Sequence, residues 1–349
     1  MAKLRVAVLF GGRSGEHEIS IRSAASVIAA LDRQRYTVIP AAIDTRGLWL
    51  SPAASAALLP AESQRDLSTS RDFRIDSQPG QSMDVDVVFT ALHGTFGEDG
   101  TVQGLLELAD VAYVGSGVLG SSCGMDKDVM KRLFRERGLP AVDHIALLRH
   151  EIDLRWQEPA QRFGYPLFVK PANLGSSVGI SKANNEAELR KSLKQAAQYD
   201  RKLVVEPAID GREIELAVLG NDRPEASVAG EIVPVSGFYS YDSKYLDDSA
   251  KLEIPAQLTA AQLAVAQRLA VDSFQAVNCR GLARVDFFLE RQTGRFLLNE
   301  INTIPGFTSI SMYPKLWEAS GLPYPRLVDR LIELALERHA EKQTIRFER

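Results

Sequence analysis

The chain has 349 residues, with 41 Lys and Arg against 45 Asp and Glu, a formal net charge of −4. Hydrophobic residues make up 45% and charged residues 25%, which excludes disorder as the main state. The slight acidity argues against a nucleic-acid binder, and no run of roughly 18 apolar residues is present to cross a membrane.

The first third alternates strand and helix. Leu4–Phe10 reads as a buried strand, too short for the core of a signal peptide and followed by Gly11-Gly12. Apolar spacing predicts a helix over Ile19–Leu31, strands at Tyr36–Ile43 and Val85–Ala91, and a helix at Val102–Leu108. This alternation predicts a small parallel sheet covered by helices. Residues 44–84, rich in Ala, Ser, Asp and Pro, read as a surface insertion.

In the middle third a helix is expected over Asp126–Gly138 and a strand over Pro166–Pro171. A Gly/Ser loop follows, then a polar helix near Glu186–Gln198 and a strand at Leu203–Glu206. The last third is strand-rich, with candidates at Arg212–Leu219 and Glu225–Val233. After a polar, Tyr-rich segment at 237–249 come a helix over Thr259–Ala276 and a hairpin, Gly281–Leu289 with Arg295–Ile301. An amphipathic helix over Tyr324–Arg338 closes the pattern.

Three motifs mislead. Gly115–Gly120 matches G-x-G-x-x-G, but Ser121–Gly124 is poor in helix formers, so a Gly-rich connection is expected there. Two G-x-S-x-G matches occur, at Gly120–Gly124 and Gly175–Gly179; after Ser177 the only later His is His339, in a charged run of the last helix. Cys123 and Cys279 are far apart without metal spacing, and read as buried, reduced thiols of a cytosolic protein.

The hairpin carries chemistry. Strand alternation puts Arg284 with Asp286 on one face, and Glu300 with Asn302 on one face. A five-residue connection would set Asp286 opposite Glu300, though sequence alone cannot fix that register. Two carboxylates and a carboxamide form an oxygen-only ligand set suited to Mg²⁺. Lys170 at a strand end, followed by Gly175-Ser176-Ser177-Val178-Gly179, offers a cation, N–H groups and hydroxyls to phosphate oxygens. Together these describe an ATP site without a P-loop.

With Gly11–Ser20, Ala91–Gly94, Gly97–Gly100, Met125-Asp126-Lys127, Lys244-Tyr245 and Pro305-Gly306, these motifs closely resemble those of the D-alanine–D-alanine ligases, of the ATP-grasp superfamily. The resemblance implies an α/β (α+β) fold in three domains: 1–115, holding the first D-alanine; 116–208, with the phosphate loop; and 209–349, with a lid, the metal site and the second D-alanine site. It implies ATP as co-substrate, with two Mg²⁺ or Mn²⁺ ions on Asp286, Glu300 and Asn302. It assigns ATP contacts to Lys127, Lys170, Ser176, Ser177, Glu206, Ala208, Ile209, Glu213, Lys244, Phe288, Asn299 and Glu300, with Glu206 at the adenine edge. Glu16 and His93 would hold the first D-alanine, Ser311 and Met312 the second. Arg284 and the Gly306 N–H would stabilise an oxyanion, and Glu16, Ser176 and Tyr245 would pin the lid by hydrogen bonds. A cytoplasmic homodimer is expected. A D-alanine–D-lactate ligase and a non-catalytic ATP-binding module are the competing readings, and Tyr245 argues against the former.

Overall fold

The computed structural model describes residues 2–69, 85–176, 178–234 and 250–346. Three four- or five-stranded sheets surround a central cavity. The first comprises β1 (Leu4–Gly11), β2 (Tyr36–Ile43), β3 (Val87–Thr90) and β4 (Ala112–Tyr113), all parallel in the order β2-β1-β3-β4. Helices α1 (His17–Ala30), α2 (Pro52–Ala57) and α3 (Thr101–Leu108) connect its strands. β1 is a continuous apolar run because both its faces are covered. Val6, Val8 and Phe10 pack with Ala24, Val27 and Ile28 of α1, while Ala7 and Leu9 meet Val102 and Leu106 of α3.

The stretch expected to be a surface insertion covers the β2 edge instead. Ser51 caps α2 by accepting from the Ala54 N–H, and buried Ser55 accepts from the Ala42 N–H at 2.9 Å. Leu67 bridges to Val38. Residues 70–84 of that expectation lie outside the described residues.

The Gly-rich connection is also a correction, because Val118–Met125 forms a helix, α4. Its glycines serve close packing. A Cβ at Gly120 would lie 2.5 Å from the Asn278 carbonyl oxygen, and one at Gly124 would lie 2.7 Å from the Thr303 methyl. Low intrinsic propensity is overridden here by tertiary fit. α5 (Lys127–Glu136) follows, capped by Asp126, which accepts from the N–H groups of Asp128 and Val129.

The second sheet is antiparallel, in the order β5-β8-β6-β7: β5 (Ile145–Leu148), β6 (Leu167–Pro171), β7 (Ser181–Ala183) and β8 (Lys202–Pro207). Helices α6 (Ile152–Arg155), α7 (Glu158–Phe163) and α8 (Glu186–Ala196) flank it. α8 turns Leu189, Leu193 and Ala196 onto Leu147, Leu167, Val169 and Val205.

The third sheet is antiparallel too, in the order β11-β10-β9-β12-β13: β9 (Gly211–Gly220), β10 (Glu225–Pro234), β11 (Ala250–Glu253), β12 (Gly281–Glu290) and β13 (Phe296–Asn302). Helix α9 (Ala260–Ala276) opens with a capping box between Thr259 and Gln262. It lays Leu269, Ala270 and Phe274 on Ile214, Leu216, Val285 and Phe287, and Met130 and Phe134 of α5 join that core. The other face, with Ala217 and Leu282, shares a core with α10 (Met312–Ala319), α11 (Tyr324–Lys342) and the first sheet. The limits 1–115, 116–208 and 209–349 are thus a proposed division that two of the four cores cross.

Candidate active site

A cavity of about 760 Å³ lies where the three sheets meet. It brings together Glu16, His93, Lys127, Ser176, Arg284, Glu300, Asn302, Gly306, Ser311 and Met312, which are spread over nearly 300 residues of sequence.

Glu16 sits at the start of α1 with no capping bond of its own side chain. The Ser176 hydroxyl donates to it instead. Ser176 is held at φ +52°, an unusual conformation for a residue with a side chain. Gly94, at φ +75°, gives Glu16 room, since a Cβ there would lie 2.7 Å from a Glu16 carboxylate oxygen. Beside it, His93 is buried. Its Nε2 is 2.9 Å from the Ser23 hydroxyl, its Nδ1 3.1 Å from the Ile304 carbonyl, and Glu98 lies 3.7 Å away. Burial opposes a charge on His93, but the nearby Glu98 and Glu16 outweigh it and its pKa is raised. Burial pushes Glu98 up to about 7.

At the far wall, Asp286 pairs opposite Glu300, and Arg284 opposite Asn302. The register slips by one residue just beyond, where Phe287 pairs with Leu298, so Asn299 is the extra residue of a β-bulge. The bulge serves the site. Asn299 Oδ1 accepts from Lys170 at 3.2 Å, while Glu300 is 3.3 Å from Lys127. Lys127 also donates to the Leu174 carbonyl at 2.8 Å, anchoring the Gly/Ser loop. Arg284 grips both Asp286 oxygens at 2.7 Å and lies 3.0 Å from Glu215. Despite burial, those carboxylates raise the guanidinium pKa well above its ordinary value.

Asp286, Glu300 and Asn302 supply only oxygen donors from adjacent strands, which suits a hard divalent cation that also takes phosphate oxygens. Among the described residues no three His, Cys, Asp or Glu side chains form a metal-binding group.

Glu206, expected near the adenine edge, has a buried side chain. Its carboxylate, 2% exposed, lies between Lys131 at 3.0 Å and Lys170 at 2.6 Å. Burial would raise its pKa, but the two lysines hold it at about 2. Burial in turn brings Lys131 down to about 8. The Ala208 N–H is bonded to the Pro166 carbonyl, and Ile209 links β8 to β9. Glu213 pairs with Phe288 across β9 and β12. At the opposite end, the Ser311 hydroxyl is 2.8 Å from that of Thr308, and a Cβ on Gly306 would come 3.0 Å from it. Ser177, Lys244 and Tyr245 lie outside the described residues.

Sequence reasoning missed Glu215, Lys131 and Lys315. For Glu215 a signal existed: it shares a strand face with Glu213. Lys131 follows Lys127 by one helical turn and so shares its face, but helical spacing says nothing of the partner across the sheet.

Two family models match the chain. The D-ala D-ala ligase N-terminus matches residues 5–116 and the D-ala D-ala ligase C-terminus matches residues 133–333. The chain is 54% identical over 347 residues to a D-alanine–D-alanine ligase of Solibacter usitatus, covering 99% of this chain and 100% of that one. It is 50% identical to that of Heliobacterium modesticaldum, covering 98% and 97%. Among solved structures, the D-alanine-D-alanine ligase from Coxiella burnetii superposes with a TM-score of 0.86 at 41% identity, covering 99% and 97%. The VanG D-Ala:D-Ser ligase from Enterococcus faecalis also reaches 0.86, at 34% identity, covering 96% and 100%. The chain belongs to the D-alanine–D-alanine ligase family of ATP-grasp enzymes.

Proposed function

We propose that this chain joins two D-alanines at the expense of ATP, giving D-alanyl-D-alanine, ADP and phosphate for peptidoglycan precursors. The reading is carried by one cavity that places a carboxylate–hydroxyl pair, Glu16 with Ser176, against a wall of phosphate-seeking cations and paired carboxylates. Glu16 accepts the ammonium of the first D-alanine, and His93 lies on its carboxylate side. That carboxylate attacks the γ-phosphorus of ATP, releasing ADP and forming an acylphosphate. The amine of the second D-alanine, its carboxylate held by Ser311 near Met312, then attacks the acyl carbon. Arg284 and the Gly306 N–H stabilise the tetrahedral oxyanion, and phosphate leaves. Phosphoryl transfer between anions needs charge compensation more than covalent help. Lys127, Lys170 and Lys244 supply part of it, and Ser176 and Ser177 contribute hydroxyls. Asp286, Glu300 and Asn302 would hold Mg²⁺ or Mn²⁺, in two ions, which adds compensation at the phosphates. The adenosine lies over Phe288 near Ala208 and Ile209, with Glu213 toward the ribose and Asn299 beside Lys170. The lid contact expected of Tyr245 toward the Ser176–Glu16 pair lies outside the described residues. A cytoplasmic homodimer belongs to the same proposal.

The test is phosphate release from ATP with product analysis. Release should require Mg²⁺ and D-alanine, fail with L-alanine, and accompany D-alanyl-D-alanine. Release indifferent to D-alanine would overturn the reading. D-Serine and D-lactate are the informative competitors for the second position, because one structural neighbour is titled a D-Ala:D-Ser ligase. A mixed product in preference to the dipeptide would reassign that subsite.

A further inference from the structure

Lys131, one turn into α5, has no exposed surface. Its ammonium is 3.0 Å from one oxygen of Glu206, and Lys170 is 2.6 Å from the other. Lys170 reaches onward to Asn299, the residue before cavity-lining Glu300. Around the trio, Asp128 lies against His144 at 3.1 Å and Lys202 at 3.4 Å, and Glu300 against Lys127 at 3.3 Å, while Glu300 and Glu213 also bear on Lys170. Three buried charges are a poor source of stability, since well-packed apolar side chains often do as well. They therefore call for another account. Glu206 fixes the long Lys170 side chain in one place, but alone it would also cancel the Lys170 charge. With Lys131 behind it, the trio carries one net positive charge.

We propose that Lys131 is a positioning residue that offsets Glu206, so that Lys170 meets the nucleotide phosphates as an uncancelled cation. This rests on reading the cleft as an ATP site. Lys131 acts without touching the nucleotide, through the net charge of the trio.

The test is calorimetric titration of MgADP into the wild type, Lys131→Met and the double variant Lys131→Met/Glu206→Gln, each checked by circular dichroism and thermal melting. Lys131→Met leaves Lys170 cancelled and should weaken binding about ten- to a hundredfold. The double variant again carries one net positive charge, and its glutamine amide oxygen still accepts from Lys170 and keeps it in place, so binding should return to within about threefold of wild type. A purely structural role makes the opposite forecast, with the double variant no better than the single. Lys131→Met binding like wild type would overturn the inference, as would a folded double variant that binds more than about tenfold more weakly than wild type. The double variant decides the matter even if the single one fails to fold, because it buries one charge where the single buries two. A wild-type chain that binds no MgADP overturns the nucleotide reading and this inference with it.

Discussion

The two ends of the cavity solve opposite electrostatic problems with the same residue types. At the amino-acid end, Glu16 and Glu98 surround one histidine, and the partners of Glu16 and His93 include hydroxyls and a backbone carbonyl. At the proposed nucleotide end, Lys127, Lys131, Lys170 and Arg284 interleave with Glu206, Glu215, Glu300 and Asp286. The first arrangement leaves an anionic corner that welcomes an ammonium. The second holds cations rigidly by carboxylates, so that little reorganisation is needed when phosphates arrive. On the proposed assignment, one pocket would accept a zwitterion and a polyanion side by side without either drifting into the other's place.

The sharpest way to break the comparison is at the nucleotide end. Asp286→Asn or Glu300→Gln removes a carboxylate that both anchors a cation and is proposed to hold the metal. Turnover should fall at least about 100- to 1,000-fold, the range seen when a single charge-stabilising group is lost. Near-normal turnover in both variants, with circular dichroism unchanged, would remove the metal site from that wall.

The amino-acid end should be more forgiving. Ser176→Ala deletes the hydroxyl that donates to Glu16. A hydrogen bond to a charged group contributes about 1.5–3 kcal/mol, so the Michaelis constant for the first D-alanine should rise about ten- to a hundredfold. ATP affinity measured in the same variant should move much less. Equal losses for both substrates would show that the two ends are not separable.

A smaller effect distinguishes the buried acid of this end. The Glu98 carboxyl titrates near 7 in the folded chain against an ordinary 4.5. The folded state therefore binds more protons than the unfolded state between those values, and stability should fall as pH rises through them. His93, also raised, acts with the same sign. Urea midpoints taken from pH 5 to pH 8 should decline in the wild type and flatten in Glu98→Gln. An unchanged slope would mean that Glu98 is not the titrating group.

Much of this was legible in the sequence. β2 spans Tyr36–Ile43 as its apolar run predicts, and Asp286 stands opposite Glu300. Local pattern sufficed there because period-2 alternation survives burial. It failed where tertiary contact decides. The short β5 and α10 carry too little periodicity to stand out, and α4 is helical against its own glycines because Asn278 and Thr303 press close. The fate of Glu206 was equally hidden. A carboxylate on a strand gives no sign that two lysines, one on a helix 75 residues earlier, will enclose it.

The smallest expected effect marks where the comparison ends. Cys123 on α4 is half-buried and Cys279 before β12 is fully buried, both as free thiols. Burial pushes the Cys279 thiol up to about 12, so it is not a thiolate at neutral pH and has no nucleophilic part to play. Replacing both by Ala removes two sulfur atoms and should cost about 1 kcal/mol of stability, chiefly at Cys279, where the removed volume is walled by packed side chains. Neither thiol lines the cavity. Activity and both substrate affinities should therefore stay within about twofold of wild type, since neither charge nor hydrogen bonding at either end changes. Steady-state assays beside a melting curve would check this. A selective loss of ATP affinity at unchanged melting temperature would show that the nucleotide end reaches through α4 to the thiols, and the boundary drawn around the four cations would have to be widened.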